Sequence, residues 1–232
     1  MTTNETYEVV DQRRYRALVL TGAICGITAT LIYLVWSFLP LLPMLNLFFH
    51  FAFGPLVIVG TLGVAAFLER AGSILAAPLA KVFGVVAGAF FTGMRVVQSS
   101  NLSYINRFIR EAESQATKDD FGRAFDTVFT VQLGLDVCWD LFISLATILF
   151  GVALLRVNNL ARVLGLFGIL AGAALLVLNL YTFPVPPREA GLFDIGPAVG
   201  LWFLLVSAWL LFRQAVRRRD FPEHERRTAG AA

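Results

Sequence analysis

Charge is what this sequence has least of. Asp, Glu, Lys and Arg together make up 15% of its 232 residues, where a soluble domain carries about 25%. So few charges cannot cover a water-facing surface, which excludes a soluble globular domain and a disordered tail protein. The net charge of +3 is too small for a nucleic-acid-binding domain, and no nucleic acid is expected as a partner. Cysteine is scarce too. Cys25 and Cys138 both lie inside apolar runs and neither belongs to a C-x-x-C, which argues against a disulfide scaffold or a thiolate metal site. The histidines are His50 and, in the basic tail, His224. A bis-histidine haem needs two within the membrane. Neither H-E-x-x-H, G-x-S-x-G, a P-loop nor a dinucleotide fingerprint occurs. No cofactor and no metal are expected, and no motif argues for an enzyme.

What is present is apolar. Hydrophobic residues make up 57% of the chain, against about 45–50% in soluble domains. Six runs are long enough to cross a hydrocarbon core, which takes about 20 apolar residues as helix. They lie near 17–39, 44–68, 74–98, 125–155, 160–183 and 195–212. The first follows Arg13, Arg14 and Arg16 and is longer than the apolar region of a signal peptide, so it reads as a retained helix. The expectation is an all-α polytopic bundle of six transmembrane helices over 17–212. An N-terminal segment, 1–16, precedes it and a basic tail, 213–232, follows.

With the amino terminus inside, the inner segments collect Arg13, Arg14, Arg16, Arg70, Lys81, Arg156, Arg162 and the arginines of the tail. The outer segments keep Arg95, Arg107, Arg110, Lys118, Arg123 and Arg188. This asymmetry predicts a multi-pass protein of the cell (inner) membrane with both termini cytoplasmic. Its first partner is the lipid bilayer. Glycines at spacing four (Gly22/Gly26, Gly84/Gly88, Gly168/Gly172, Gly196/Gly200) let helix backbones approach closely. They point to packing within the bundle first, and to a homo-oligomer or a larger membrane complex second.

The polar stretch 99–123 carries Tyr104, Ile105, Phe108, Ile109 and Ala112 as an apolar stripe at helical spacing. That pattern predicts an extracytoplasmic helix lying in the interface plane, either a lid or a plain connector. Thr117, with Asp120 three residues on, marks a start for the fourth helix above the membrane.

The informative residues are those that are expensive where they sit. A charge near the bilayer centre costs about 2.5–3.5 kcal/mol on insertion scales and needs a partner or water. Gln132, Asp136 and Asp140 follow at intervals of four, within about 80° of one another on one helix face. Asp140 falls about 16 Å below the outer end of its span, at 1.5 Å per residue. Arg95, near the outer end of the third span, is the nearest counter-charge and is expected to reach Asp136. His50 and Asn179 lie at similar depth, with Asn46, Gln98, Tyr181 and Asp194 nearby. The outer half thus concentrates polar residues that the inner half lacks.

Two interpretations stay open. A buried Arg–Asp pair locks helices together, and such locks are common. A second acid beside it is more than a lock needs, because Arg95 neutralises one carboxylate. Asp140 must then be protonated, hydrated or bound to a cation. On the second interpretation Arg95, Asp136, Asp140, Gln132, His50 and Asn179 form a ligand-binding set for a small polar ligand or a lipid headgroup.

The segment 136–183 begins Asp-Val-Cys-Trp-Asp and continues through Leu-Leu-Arg-Val-Asn-Asn-Leu-Ala-Arg-Val-Leu-Gly. It resembles a family of bacterial multi-pass membrane proteins known only as a domain of unknown function. The resemblance implies an acid early in the fourth span, a short basic turn and a six-helix fold, and no known activity. In this chain Leu164-Gly165 stands where a tryptophan is commoner in that family. Three functions follow from the residues. The favoured one is a ligand- or lipid-binding protein or accessory subunit with an outward-facing polar pocket. The others are a proton- or cation-linked transporter using Asp136 and Asp140, and an intramembrane enzyme.

Overall fold

The computed structural model describes the backbone of residues 3–220 and the side chains of 11–215. The chain forms six helices: α1 (Thr3–Phe38), α2 (Pro43–Arg70), α3 (Ala76–Glu111), α4 (Gln115–Leu154), α5 (Asn159–Thr182) and α6 (Gly196–Asp220). Each contains a window long and apolar enough to cross a membrane. The protein is an all-α, multi-pass integral membrane protein. Helix is the form that satisfies every backbone N–H and C=O where lipid offers no partner. The predicted termini are helical as well: α1 takes in residues 3–16, and α6 runs on through 213–220. The remainder of the predicted tail, with His224, lies outside the described residues.

Consecutive helices pack side by side, and α6 returns against α1. The result is a closed ring, with α5 and α6 touching least. One end of the ring carries the start of α1 and the short turns after α2 and α4; we call it the terminal end. The other end carries the connections α1–α2, α3–α4 and α5–α6.

At that second end the structure corrects the predicted interfacial helix. Residues 99–111 are the upper part of α3, and α4 starts at Gln115, so the two helices rise together as a hairpin. At 1.5 Å per residue α3 is about 54 Å long and α4 about 60 Å, well beyond a core of about 30 Å. The physical reason is a partner. Phe108 of the apolar stripe stacks on Phe121 of α4, with ring centroids 4.9 Å apart. Asn101 donates to the Phe125 carbonyl at 3.2 Å. The helix starts two residues before Thr117, because the hydroxyl of the N-cap Ser114 accepts from the Thr117 N–H at 3.1 Å.

The terminal half is close-packed. Val19, Val64, Leu68, Phe150, Leu154 and Leu210 form its core. A Cβ on Gly22 would lie 2.5 Å from the Cα of Gly63, so α1 and α2 meet backbone to backbone. Gly168 makes room for Trp202, whose indole N–H donates to the Leu164 carbonyl at 2.9 Å. Of the paired glycines, Gly200 differs: a Cβ there would meet nothing within 4 Å. It faces an opening.

Candidate functional site

The opening is a cavity of about 330 Å³ inside the ring, and all six helices contribute to its wall. α4 supplies one continuous face: Gln132, Asp136, Trp139, Asp140, Ile143 and Thr147. Spaced one, three or four residues apart, they stay on one side of a 3.6-residue helix. From Phe129 at its top to Thr147 at its base this face runs about 27 Å along the helix. Trp202 and Phe203 of α6 line the cavity beside its base. Its upper wall includes Pro186, Pro187, Arg188, Glu189 and Asp194 from the α5–α6 loop. That loop is held over the cavity by its own bonds, with the Leu192 N–H donating to the Pro187 carbonyl at 2.8 Å. Asp194 accepts from the Gly196 N–H at 2.8 Å, which caps α6.

Four of the six predicted site residues line the cavity: Arg95, Gln132, Asp136 and Asp140. Gln132 and Asp140 are 7% and 9% exposed. Asp140 accepts a hydrogen bond through Oδ2 from Asn179 Nδ2 at 3.0 Å. Asn179 also donates to the Leu175 carbonyl at 3.0 Å. Asn179 is therefore a buttress behind Asp140 and not part of the lining. Its own Oδ1 is buried with no partner. His50 is also outside the wall. Its ring meets Trp36 edge to face at 4.9 Å, and Trp36 stands in the wall instead. Asn46 and Tyr181 do not line the cavity either, and Tyr181 is exposed.

The predicted contact between Arg95 and Asp136 is not made. Among the described residues the ion pairs are Lys81–Glu69, Arg107–Glu111 and Arg123–Asp120. Arg95 donates to Gln98 Oε1 at 2.5 Å. Its guanidinium carbon lies 5.3 Å from the Trp36 ring centre and 5.1 Å from that of Phe91. An arginine is weakly hydrated and stacks readily on aromatic faces, so Phe91 one turn away and Trp36 of α1 compete well with a carboxylate across an opening. Arg95 and Asp136 remain near enough for their charges to interact, and both face the cavity.

The signal for this placement was in the sequence, since Phe91 precedes Arg95 by four residues on the same face. The rest of the aromatic wall had no such signal. Tyr33 and Trp36 of α1, Phe53 of α2, Phe91 of α3 and Trp139 of α4 form one cluster. Phe53–Phe91 lie 4.4 Å apart, Phe91–Trp139 5.0 Å and Trp36–Phe53 5.2 Å. Residues from four helices meet here, which spacing within any one helix does not reveal. Thr30 and Thr147 also line the cavity, and each hydroxyl is satisfied by its own helix, on the carbonyls of Gly26 and Ile143.

The arrangement can hold a small molecule. It offers carboxylates on one wall and aromatic rings on another, within a volume in the range of ordinary ligand sites. Among the described residues no group of His, Cys, Asp or Glu is placed to hold a metal ion. Comparison with protein-family models, with curated proteins and with solved structures gives no match for this chain.

Proposed function

We propose that this protein binds a small polar molecule or a lipid headgroup in an outward-facing intramembrane chamber. It does so alone or as the ligand-binding subunit of a larger membrane complex. The observation that carries this proposal is the cavity itself, with Gln132, Asp136 and Asp140 on one face of it. Gln132 is almost wholly buried and makes no hydrogen bond among the described residues, although it lines the opening. A packing lock would consume its polar groups, since an unmet buried donor or acceptor costs about 1–3 kcal/mol. A wet or ligand-filled site leaves them available.

Outward facing follows from the arginine distribution, which assigns the terminal end to the cytoplasm. The same asymmetry supports placement in the cell (inner) membrane. The aromatic residues at the base favour binding over transport, because a translocation path needs polar groups on both sides of the midplane. The test is mass spectrometry of small molecules that co-purify with the protein in a mild detergent. Gly200→Phe should fill the cavity without a clash at Cβ. A molecule retained by the wild type and lost from a folded Gly200→Phe variant is the expected result. The same content in both would refute a ligand in this chamber.

A further inference from the structure

The charges around the cavity are unequal. Asp136, Asp140, Glu189 and Asp194 line it against Arg95 and Arg188. Arg95 is engaged by Gln98 and by the faces of Trp36 and Phe91, which leaves its buried Nε without a partner among the described residues. Asp194 is engaged as the cap of α6. Among the described residues Asp136 makes no hydrogen bond, and Asp140 is held through Oδ2 alone. These two acids flank Trp139 on α4, in the order Asp136, Trp139, Asp140 at spacings of three and one. All three side chains line the cavity, and Trp139 carries no protein cation among the described residues. Two carboxylates and an indole on one helical turn make the recognition set of an ammonium group.

Resting on the chamber proposed above, we infer that its ligand is a small organic cation: an amine or quaternary ammonium on an apolar body, held between Asp136 and Asp140 against Trp139. An anion would meet more acids than bases. A neutral molecule would displace water from the unbonded carboxylate oxygens without supplying a countercharge in its place. A bare metal ion would forgo the aromatic cluster, whereas an alkylammonium uses it, because its charge is spread over methyl groups that pack on rings. A free amine and the choline or ethanolamine end of a lipid share this chemistry.

The test is calorimetric titration of the full-length protein in an uncharged maltoside detergent, with probes that share one body. Benzyltrimethylammonium, benzyl alcohol and benzylsulfonate differ in the charge of the head. The expected result is saturable binding of the cation, about tenfold or more tighter than either other probe. Asp136→Asn and Asp140→Asn should each weaken it by about tenfold, and Trp139→Leu several-fold, in variants that keep the wild-type melting profile. Glycerophosphocholine distinguishes the source. Binding as tight as benzyltrimethylammonium assigns a lipid headgroup, and weaker binding assigns a free amine.

Equal or tighter binding of benzylsulfonate or benzyl alcohol would overturn the cation and leave the chamber standing. So would cation binding unchanged in the Asp136→Asn/Asp140→Asn double variant. If no probe binds while a molecule still co-purifies and is lost in Gly200→Phe, the cation inference alone fails. If nothing binds and nothing co-purifies, both fail.

Discussion

The two halves of the bundle are built from the same six helices and differ in what fills the ring. In the terminal half, backbones close on one another at Gly22 and Gly63, and aliphatic side chains and Phe150 occupy the space between. In the other half, aromatic rings from four helices line a centre that stays open. Close packing is what stabilises helix association in lipid, where no hydrophobic force acts between helices. The terminal half therefore supplies the stability, and the open half gives some of it up to keep polar groups around a cavity. Ser144 and Ser207 show the contrast in miniature. Both are fully buried with no partner for their hydroxyls, yet neither lines the cavity.

That contrast can be broken by substitution. The largest effect belongs to the terminal half. Gly63→Leu forces a side chain into the α1–α2 contact and should cost about 3 kcal/mol, as overpacking does. Thermal unfolding in detergent would show it as a clear loss, and a variant as stable as wild type would mean that the close approach is not a stability element.

In the open half the effects should be smaller. Asn179→Leu removes the donor to Asp140 and should cost about 1–3 kcal/mol, the range for a buried acceptor left unmet. Arg95→Leu gives up two ring contacts and the bond to Gln98, so about 0.5–2 kcal/mol is expected. Had Arg95 been locked to Asp136, stranding the acid would cost about 3–5 kcal/mol. A loss of that size on melting Arg95→Leu would restore the lock and remove the open cavity as an explanation. At the tip of the hairpin, Arg107→Ala breaks an exposed pair with Glu111 and should change stability by no more than about 0.5 kcal/mol.

Much of this was legible in the sequence, for physical reasons that also mark where legibility stops. Apolar runs longer than the bilayer announce a span whatever surrounds them, so six helices followed from length alone. The Gln132, Asp136, Asp140 face was equally plain, because residues four apart share a helix face in any context. The failures concern rotation and continuity, which neighbouring helices decide. His50 has the right depth, but Trp36 of α1 holds its place in the wall. Asn179 has the right depth as well and turns behind Asp140. The stripe on 99–111 reads as membrane-facing until α4 is placed beside it, where Phe121 takes up Phe108. Of the α5–α6 loop only Asp194 gave a signal, since Arg188 and Glu189 resemble any polar connector until the ring closes beneath them.

The claim on which the rest depends is that the open half holds a hydrated chamber reached from outside the cell. It is tested most directly by a cysteine at Gln132, a buried residue of the wall, in a chain whose Cys25 and Cys138 are replaced by alanine. Intact cells are treated with a small membrane-impermeant methanethiosulfonate, and the modified fraction is measured after purification. Gln132→Cys should be modified from outside while a cysteine at Ser144, buried away from the cavity, is not. Protection of Gln132→Cys in intact cells would contradict the account: modification only from the cytoplasmic side would overturn the orientation, and modification only after unfolding would overturn the chamber.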